Sequence, residues 1–174
     1  AQLDWKESVP FITKEGEVLE VNILSLILSY SRYRIYKVSL TKSQEVLFHF
    51  LNEAFIQLGG VPKELLTDNM KTVMDESRTE YSSGKVNAKF QQFADDYGFT
   101  VKPCVAGKPW SKGKVEAPMK LWDELYAYNG KLNYEQLNEK VRLINERHNC
   151  QVHSEIGRIP KLHIQKEKDF LSPL

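Results

Sequence analysis

The longest apolar run of the chain, residues 21–28, is strand-sized and far short of the roughly 20 residues that span a bilayer. It lies inside a stretch, residues 18–29, that reads as one long β-strand. The residues before it alternate around Leu3 and Trp5, and residues 13–16 supply a turn between the two, so a hairpin opens the chain. Residues 32–38 add a third strand through Tyr33, Ile35, Tyr36 and Val38, the aromatic and β-branched types that suit a pleated surface. Three antiparallel strands thus frame the fold.

Helical periodicity begins after these strands. Thr41 and Gln44 stand in capping-box spacing, and Val46, Leu47, Phe50, Leu51, Ala54, Phe55 and Leu58 recur at helical intervals up to the Gly59-Gly60 stop. A short strand at residues 64–67 follows Pro62 and ends at Asp68-Asn69; the polar stretch to Lys85 has no clean period and reads as a loop. Asn87 caps a helix to Tyr97, Gly98 ends it, and residues 99–103 form a fifth strand. The order is βββαβαβ. Val115, Met119, Trp122 and Tyr126 then mark one helix face, and Asn133 with Gln136 starts another helix carrying Leu137, Val141 and Ile144. Residues 151–174 are too irregular to assign. The domain organisation expected is a core over residues 1–150 and a C-terminal extension over 151–174 that leads to a further domain.

A chain of 174 residues can bury a core without disulfides or a structural metal. Only Cys104 and Cys150 are present, and the N-terminus lacks the order of a signal peptide, which favours a reducing, intracellular setting. The chain starts at Ala1 with a strand pattern almost at once, as expected of a piece of a larger protein. Lys and Arg total 24 against 23 Asp and Glu, so overall charge does not mark a nucleic-acid binder and local charge has to carry that case.

Three carboxylates fall where this topology can bring them together: Asp4 in the first strand, Asp68 at the end of the fourth, and Glu116 near the start of a late helix. If the first and fourth strands are neighbours, Asp4 and Asp68 become adjacent, and a helix packed on that face can deliver Glu116. Hard oxygen ligands suit Mg²⁺ or Mn²⁺. Two such ions can activate an attacking oxygen and stabilise a leaving one in displacement at phosphorus. Asp4 interrupts an apolar strand and Asp68 ends the apolar Leu65-Leu66, departures that functional sites often show. The bland alternative is an exposed strand-end acid, and for Asp68 a turn or capping pair with Asn69.

The segments Gln2-Leu3-Asp4-Trp5, Leu66-Thr67-Asp68-Asn69-Met70-Lys71 and Lys112-Gly113-Lys114-Val115-Glu116 resemble the three signature blocks of the IstA family of insertion-sequence transposases and, more distantly, retroviral integrase cores. The Gly157-Arg158-Ile159-Pro160 turn is similar to the segment that leaves the core in that family. The resemblance implies an α/β RNase H-like fold, a five-stranded mixed sheet with its first three strands antiparallel and helices flanking it. It further implies Asp4, Asp68 and Glu116 as ligands to two Mg²⁺ or Mn²⁺ ions. The implied reaction is cleavage at the ends of a mobile element and transfer of the 3′ hydroxyls into target DNA. Its implied partners are double-stranded DNA, further copies of the chain, and the AAA+ ATPase helper IstB, in a bacterial cytoplasm near the nucleoid. The interval between Asp68 and Glu116 is longer than in integrases, and the extra residues are expected within 73–83.

Lys102, Lys108, Lys112 and Lys114 occupy an acid-free segment broken by Gly107, Pro109, Trp110 and Gly113, a basic loop expected to border DNA. Lys120, four residues after Glu116, and Lys71, three after Asp68, are further candidates for phosphate contact. Ordinary solvated lysines are the plain alternative, with Lys120 as a helical partner of Glu116. Trp110 can stack on a base or simply pack on its own domain. His148, Cys150, His153 and His163 fit no common zinc spacing, and Cys104 has no sequence-evident base to make it a nucleophile. Two other functions fit the same acids or the same fold: an RNase H-like nuclease without strand transfer, and a non-catalytic domain for DNA binding or multimerisation. No helix-turn-helix signal is visible, so end recognition is expected in flanking domains.

Overall fold

The computed structural model describes residues 1–105 and 117–174. Its main sheet has five strands in the order β3-β2-β1-β4-β7. The long hairpin pairs β1 (Gln2–Ile12) with β2 (Val18–Ile27), and β3 (Arg34–Ser39) adds to it antiparallel. On the other side of β1, the short strands β4 (Glu64–Thr67) and β7 (Thr100–Pro103) run parallel to it. The first and fourth strands are therefore neighbours, and the sheet is mixed.

A bulge in β1 decides which residues enter which core. The register slips between Lys6 and Val9, one extra residue against β2. Because strand side chains alternate, one inserted residue exchanges the two faces. Leu3 and Trp5 consequently join one apolar cluster and Val9 and Phe11 the other. Ser8 takes a left-handed backbone at the bulge (φ 52°), and its N–H donates to Asn22 Oδ1 at 2.9 Å.

The first cluster sits under α1 (Gln44–Leu58) and α2 (Ala88–Tyr97), with Leu47, Phe50, Leu51, Phe55 and Phe90 packed against Leu3, Leu24 and Leu26. Each such side chain, taken from water, stabilises the fold by about 1.5–3 kcal/mol. The N-cap of α1 is Ser43, whose Oγ accepts from Val46 N at 3.3 Å, in place of Thr41. Gln44 is drawn away from any capping box, since its Nε2 donates to Thr72 O and Asn87 Oδ1, both at 2.9 Å. Asn87 caps α2 as its sequence indicates, and Gly59 and Gly98 end the two helices in left-handed conformations.

The second cluster lies on the opposite face under α3 (Ala117–Leu125) and α4 (Tyr134–Cys150). Leu121 and Leu125 are the fully buried side chains of α3. The expected face of Met119, Trp122 and Tyr126 is therefore displaced: Trp122 is half-buried and Tyr126 exposed. The full capping box of Asn133 and Gln136 starts α4. Residues expected to be a structureless loop form a small hairpin, β5 (Met74–Glu76) with β6 (Lys85–Val86). Val73 and Met74 are buried in the first cluster, which gives the hairpin its anchor.

Residues 151–174 dock on this body. Ile164 of α5 (Pro160–Glu167) enters the first cluster, and Glu167 accepts from the N–H groups of Tyr30 and Ser31 in the β2–β3 turn at 3.1 and 2.8 Å. Ser172 then bridges to Val61. Gly60 makes room for that return: a Cβ there would stand 2.8 Å from Leu171 Cβ and 2.9 Å from Ser172 O.

Candidate active site

In the parallel pairing of β1 and β4, Gln2 stands opposite Leu66 and Leu3 opposite Thr67. Asp4 is the next residue along β1, and Asp68 is the first residue after β4. Neighbouring strands lie about 4.8 Å apart, and residues level with each other share a face. Leu3 and Thr67 point to the α1 side, so Asp4 points to the other, the side on which α3 packs. The parallel pairing thus brings side by side the segments that carry Asp4 and Asp68, which have β2, β3 and α1 between them in sequence.

Asp4 is buried (2% exposed) and Asp68 half-buried. Gln2, two residues before Asp4 on the same face, donates from Nε2 to Asp4 Oδ2 at 3.0 Å and holds that carboxylate in orientation. Ser25 is the β2 residue level with Asp4. Among the described residues, its Oγ and Gln2 Oε1 are buried without a hydrogen-bond partner. Buried polar atoms are nearly always satisfied, and the exceptions cluster at sites that hold an ion or water. This all-oxygen, partly orphaned surface fits a hard divalent cation.

The exit from β4 is fixed by Asn69. Its Nδ2 donates to Cys104 O at 2.6 Å and its Oδ1 accepts from Arg78 N at 2.8 Å. Cys104 N in turn donates to Thr67 O at 2.9 Å, and Arg78 Nη1 to Pro103 O at 2.9 Å. These bonds clamp the residues after Asp68 to the end of β7. Gln2 and Asn69 both lie inside the signature blocks, yet nothing in the sequence distinguishes their positioning roles from the surrounding motif.

Glu116, Lys108, Trp110, Lys112 and Lys114 lie outside the described residues. The helix α3 begins at Ala117, the residue after Glu116, and packs against β1 and β2. Lys71 is exposed just beyond Asp68. Lys120 is half-buried on α3, and burial, followed by the Arg34 guanidinium, holds its ammonium below the usual lysine range. Lys102 of β7 forms an ion pair with Glu64 at 3.2 Å. His148 stands between Tyr36 Oη, 2.9 Å from its Nδ1, and Glu124 Oε2, 2.5 Å from its Nε2.

Residues 1–109 match the integrase core domain family. The chain is 53% identical over its whole length to the transposase of insertion sequence element IS232 from Bacillus thuringiensis, and 29% identical over 99% of its length to an IS21-like transposase from Bacteroides fragilis. It spans 40% and 33% of those two relatives. Among solved structures, the catalytic core domain of BIV integrase superposes with a TM-score of 0.62 at 16% identity, covering 95% of both chains. A chain of the simian T-cell lymphotropic virus intasome superposes with a TM-score of 0.65 at 14% identity, covering 94% of this chain and 53% of that one. These likenesses establish the RNase H-like fold that the mixed five-stranded sheet already displays. The chain belongs to the integrase core domain family.

Proposed function

We propose that this chain carries the phosphoryl-transfer site of an insertion-sequence transposase, which cuts DNA at element ends and joins the freed 3′ hydroxyls to target DNA. The observation that supports it most directly is the parallel pairing of β1 and β4, in register as far as Leu3 and Thr67, the residues just before Asp4 and Asp68. Glu116 completes the acid set in this reading. The family match ends at residue 109, so its assignment rests on the Lys112-to-Glu116 block and on the start of α3 one residue later, on the same sheet face. Asp4, Asp68 and Glu116 would hold two Mg²⁺ or Mn²⁺ ions, which when bound supply a nucleophile at neutral pH and charge stabilisation for attacking and leaving oxygens.

The protein's own contribution is alignment. Gln2 orients Asp4, and Asn69 holds the turn that carries Asp68. Lys71 and Lys120, with Lys108, Lys112 and Lys114, are proposed to contact DNA phosphates and set the attacking oxygen in line. The intasome among the fold neighbours supports a multimeric assembly on DNA. An ATPase helper of the IstB type and a site of action on the bacterial nucleoid follow from the family resemblance, as does a further domain beyond residue 174.

The test is calorimetric titration of Mn²⁺ into this chain and into Asp4→Asn, Asp68→Asn and Glu116→Gln. Each change is expected to weaken binding by at least about tenfold, an extent that lesser outer-shell changes already reach. Metal affinity indifferent to all three would sink the assignment. Supplying element-end duplex to the longer protein then separates strand transfer from simple nicking: joined products are expected, and cleavage without joining would mean a nuclease.

A further inference from the structure

On the same sheet face as Asp4, at the level of Gln2, Arg34 of β3 acts electrostatically on Lys120 of α3 and on His153 after α4, and Arg32 of the β2–β3 turn acts on His153 as well. Arg34 is only 3% exposed. No carboxylate pairs with it among the described residues, and its guanidinium makes two long hydrogen bonds, Nε to Arg32 O at 3.4 Å and Nη1 to Tyr36 Oη at 3.5 Å. A guanidinium offers five N–H donors in a rigid fork. Burying one without a counter-charge is costly, and proteins do so chiefly where an anion completes the site.

The position of Arg34 is built rather than incidental. Asn149 of α4 accepts from Arg34 N at 2.9 Å and donates to Arg34 O at 2.8 Å, and Asn145 donates to the same carbonyl at 2.8 Å. Around it the charge is one-sided. His153 is buried, and its Nδ1 accepts from Glu155 N at 3.2 Å. Burial and then Arg34 hold both Lys120 and His153 below their usual ranges, with Lys120 and Arg32 adding to the effect on His153. Glu155 is the acid of the group, and it pairs with Arg32 at 3.4 Å from a half-exposed position.

We propose that Arg34, with Lys120 and His153 beside it, binds one backbone phosphate of the DNA strand that enters the Asp4–Asp68 site. The proposal rests on the transposase reading and adds to it Arg34 and His153, which no sequence motif singles out. Register supports the identity of the anion. Arg34 pairs with Ile27, and Ile27 with Gln2, two residues before Asp4. Two strand spacings across and two residues along put the Cα atoms of Arg34 and Asp4 roughly 12 Å apart. A strand advancing 3.4 Å of axis per nucleotide covers that distance in a few nucleotides. The planar fork of Arg34 matches phosphate oxygens in a way that a lone ammonium does not.

The experiment is the salt dependence of duplex binding by fluorescence anisotropy, using this chain, Arg34→Gln, Arg34→Lys, Lys120→Gln and the Arg34→Gln/Lys120→Gln double variant, each checked for folding by circular dichroism. The double variant is expected to bind several-fold more weakly at low salt and to lose about 0.9 from the log–log slope, the amount for one phosphate. Arg34→Lys should keep the slope because the charge remains. If Arg34→Gln does not fold, Lys120→Gln carries the test with a smaller loss in the same direction. Unchanged slope and affinity in folded variants would overturn the proposal. So would stabilisation by inorganic phosphate that Lys120→Gln abolishes while duplex binding stays intact, since these residues would then hold a free anion. Retained slope with metal binding still lost in Asp4→Asn counts against this proposal alone; a reduced slope with metal binding intact in Asp4→Asn counts against the metal assignment alone.

Discussion

The two faces of the central sheet are built from the same strands and differ in what they bury. Under α1 and α2 the face is mainly apolar, with Leu3, Trp5, Leu24, Leu26 and Leu65 meeting Phe50, Phe55 and Phe90 and with Thr67 buried among the strand residues. Under α3 and α4 the apolar part stops at the β1 bulge, where Val9, Phe11, Val21 and Ile23 are covered by Leu121 and Leu125. Below it the same face carries Gln2, Asp4, Ser25 and Arg34. One face holds the domain together, while the other exchanges cohesion for buried polar groups that a core would not choose. Stability and chemistry are thereby separated to opposite sides of one sheet.

That contrast can be broken most severely from the apolar side. Phe55→Ala is expected to cost about 3–5 kcal/mol of unfolding free energy, by lost transfer and an unfilled cavity, measured by chemical denaturation. A loss below about 1 kcal/mol would mean that this face is not the main source of stability. A smaller loss is expected from Asn149→Ala, about 1–3 kcal/mol, because it strands the N–H of Arg34 on the sheet edge, while Asn145 still donates to the Arg34 carbonyl. Ser25→Ala should cost nothing and gain up to about 1 kcal/mol, since its Oγ is buried without a partner among the described residues. A clear loss there would show that the hydroxyl is structural and would blur the division.

The smallest effect concerns pH. Burial holds His148 below its usual range despite Glu124, which pulls the other way. With Nε2 donating to Glu124, its neutral Nδ1 accepts from Tyr36 Oη. The unfolded chain binds this proton more readily than the folded one, so the contribution is present above about pH 6.5 and is lost progressively as pH falls below it. His148→Gln should flatten stability against pH in that window. An unaltered profile would assign the dependence to other groups, His153 among them.

Much of the frame was legible because its signals are local. The short strand ending at Asp68 has the bounds its composition indicates, Asn87 and Asn133 cap the helices they precede, and Gly59 and Gly98 stop theirs. The side of α3 was misjudged because large aromatics at helical spacing look like a core face, whereas the available groove accepts Leu121 and Leu125. The hairpin of β5 and β6 carries no period of its own and exists through Val73 and Met74 on a distant core. The adjacency of Asp4 and Asp68 was inferred only on the condition that the first and fourth strands pair, and that condition is met.

What the sequence alone determined is the order of elements, their caps and breaks, and the acids in their signature blocks, since these depend on neighbours within a few positions. Tertiary structure decided the rest. A one-residue bulge assigned Val9 and Phe11 to the opposite core from Leu3 and Trp5, because side-chain parity depends on the partner strand's register. Asn145 and Asn149 became backbone partners of β3, Gly60 became the seat of Leu171, and Arg34 was buried where its charge acts on Lys120 and His153. Each of these joins residues far apart in the chain, where hydrogen bonding, close approach and charge act through space and leave no periodic trace.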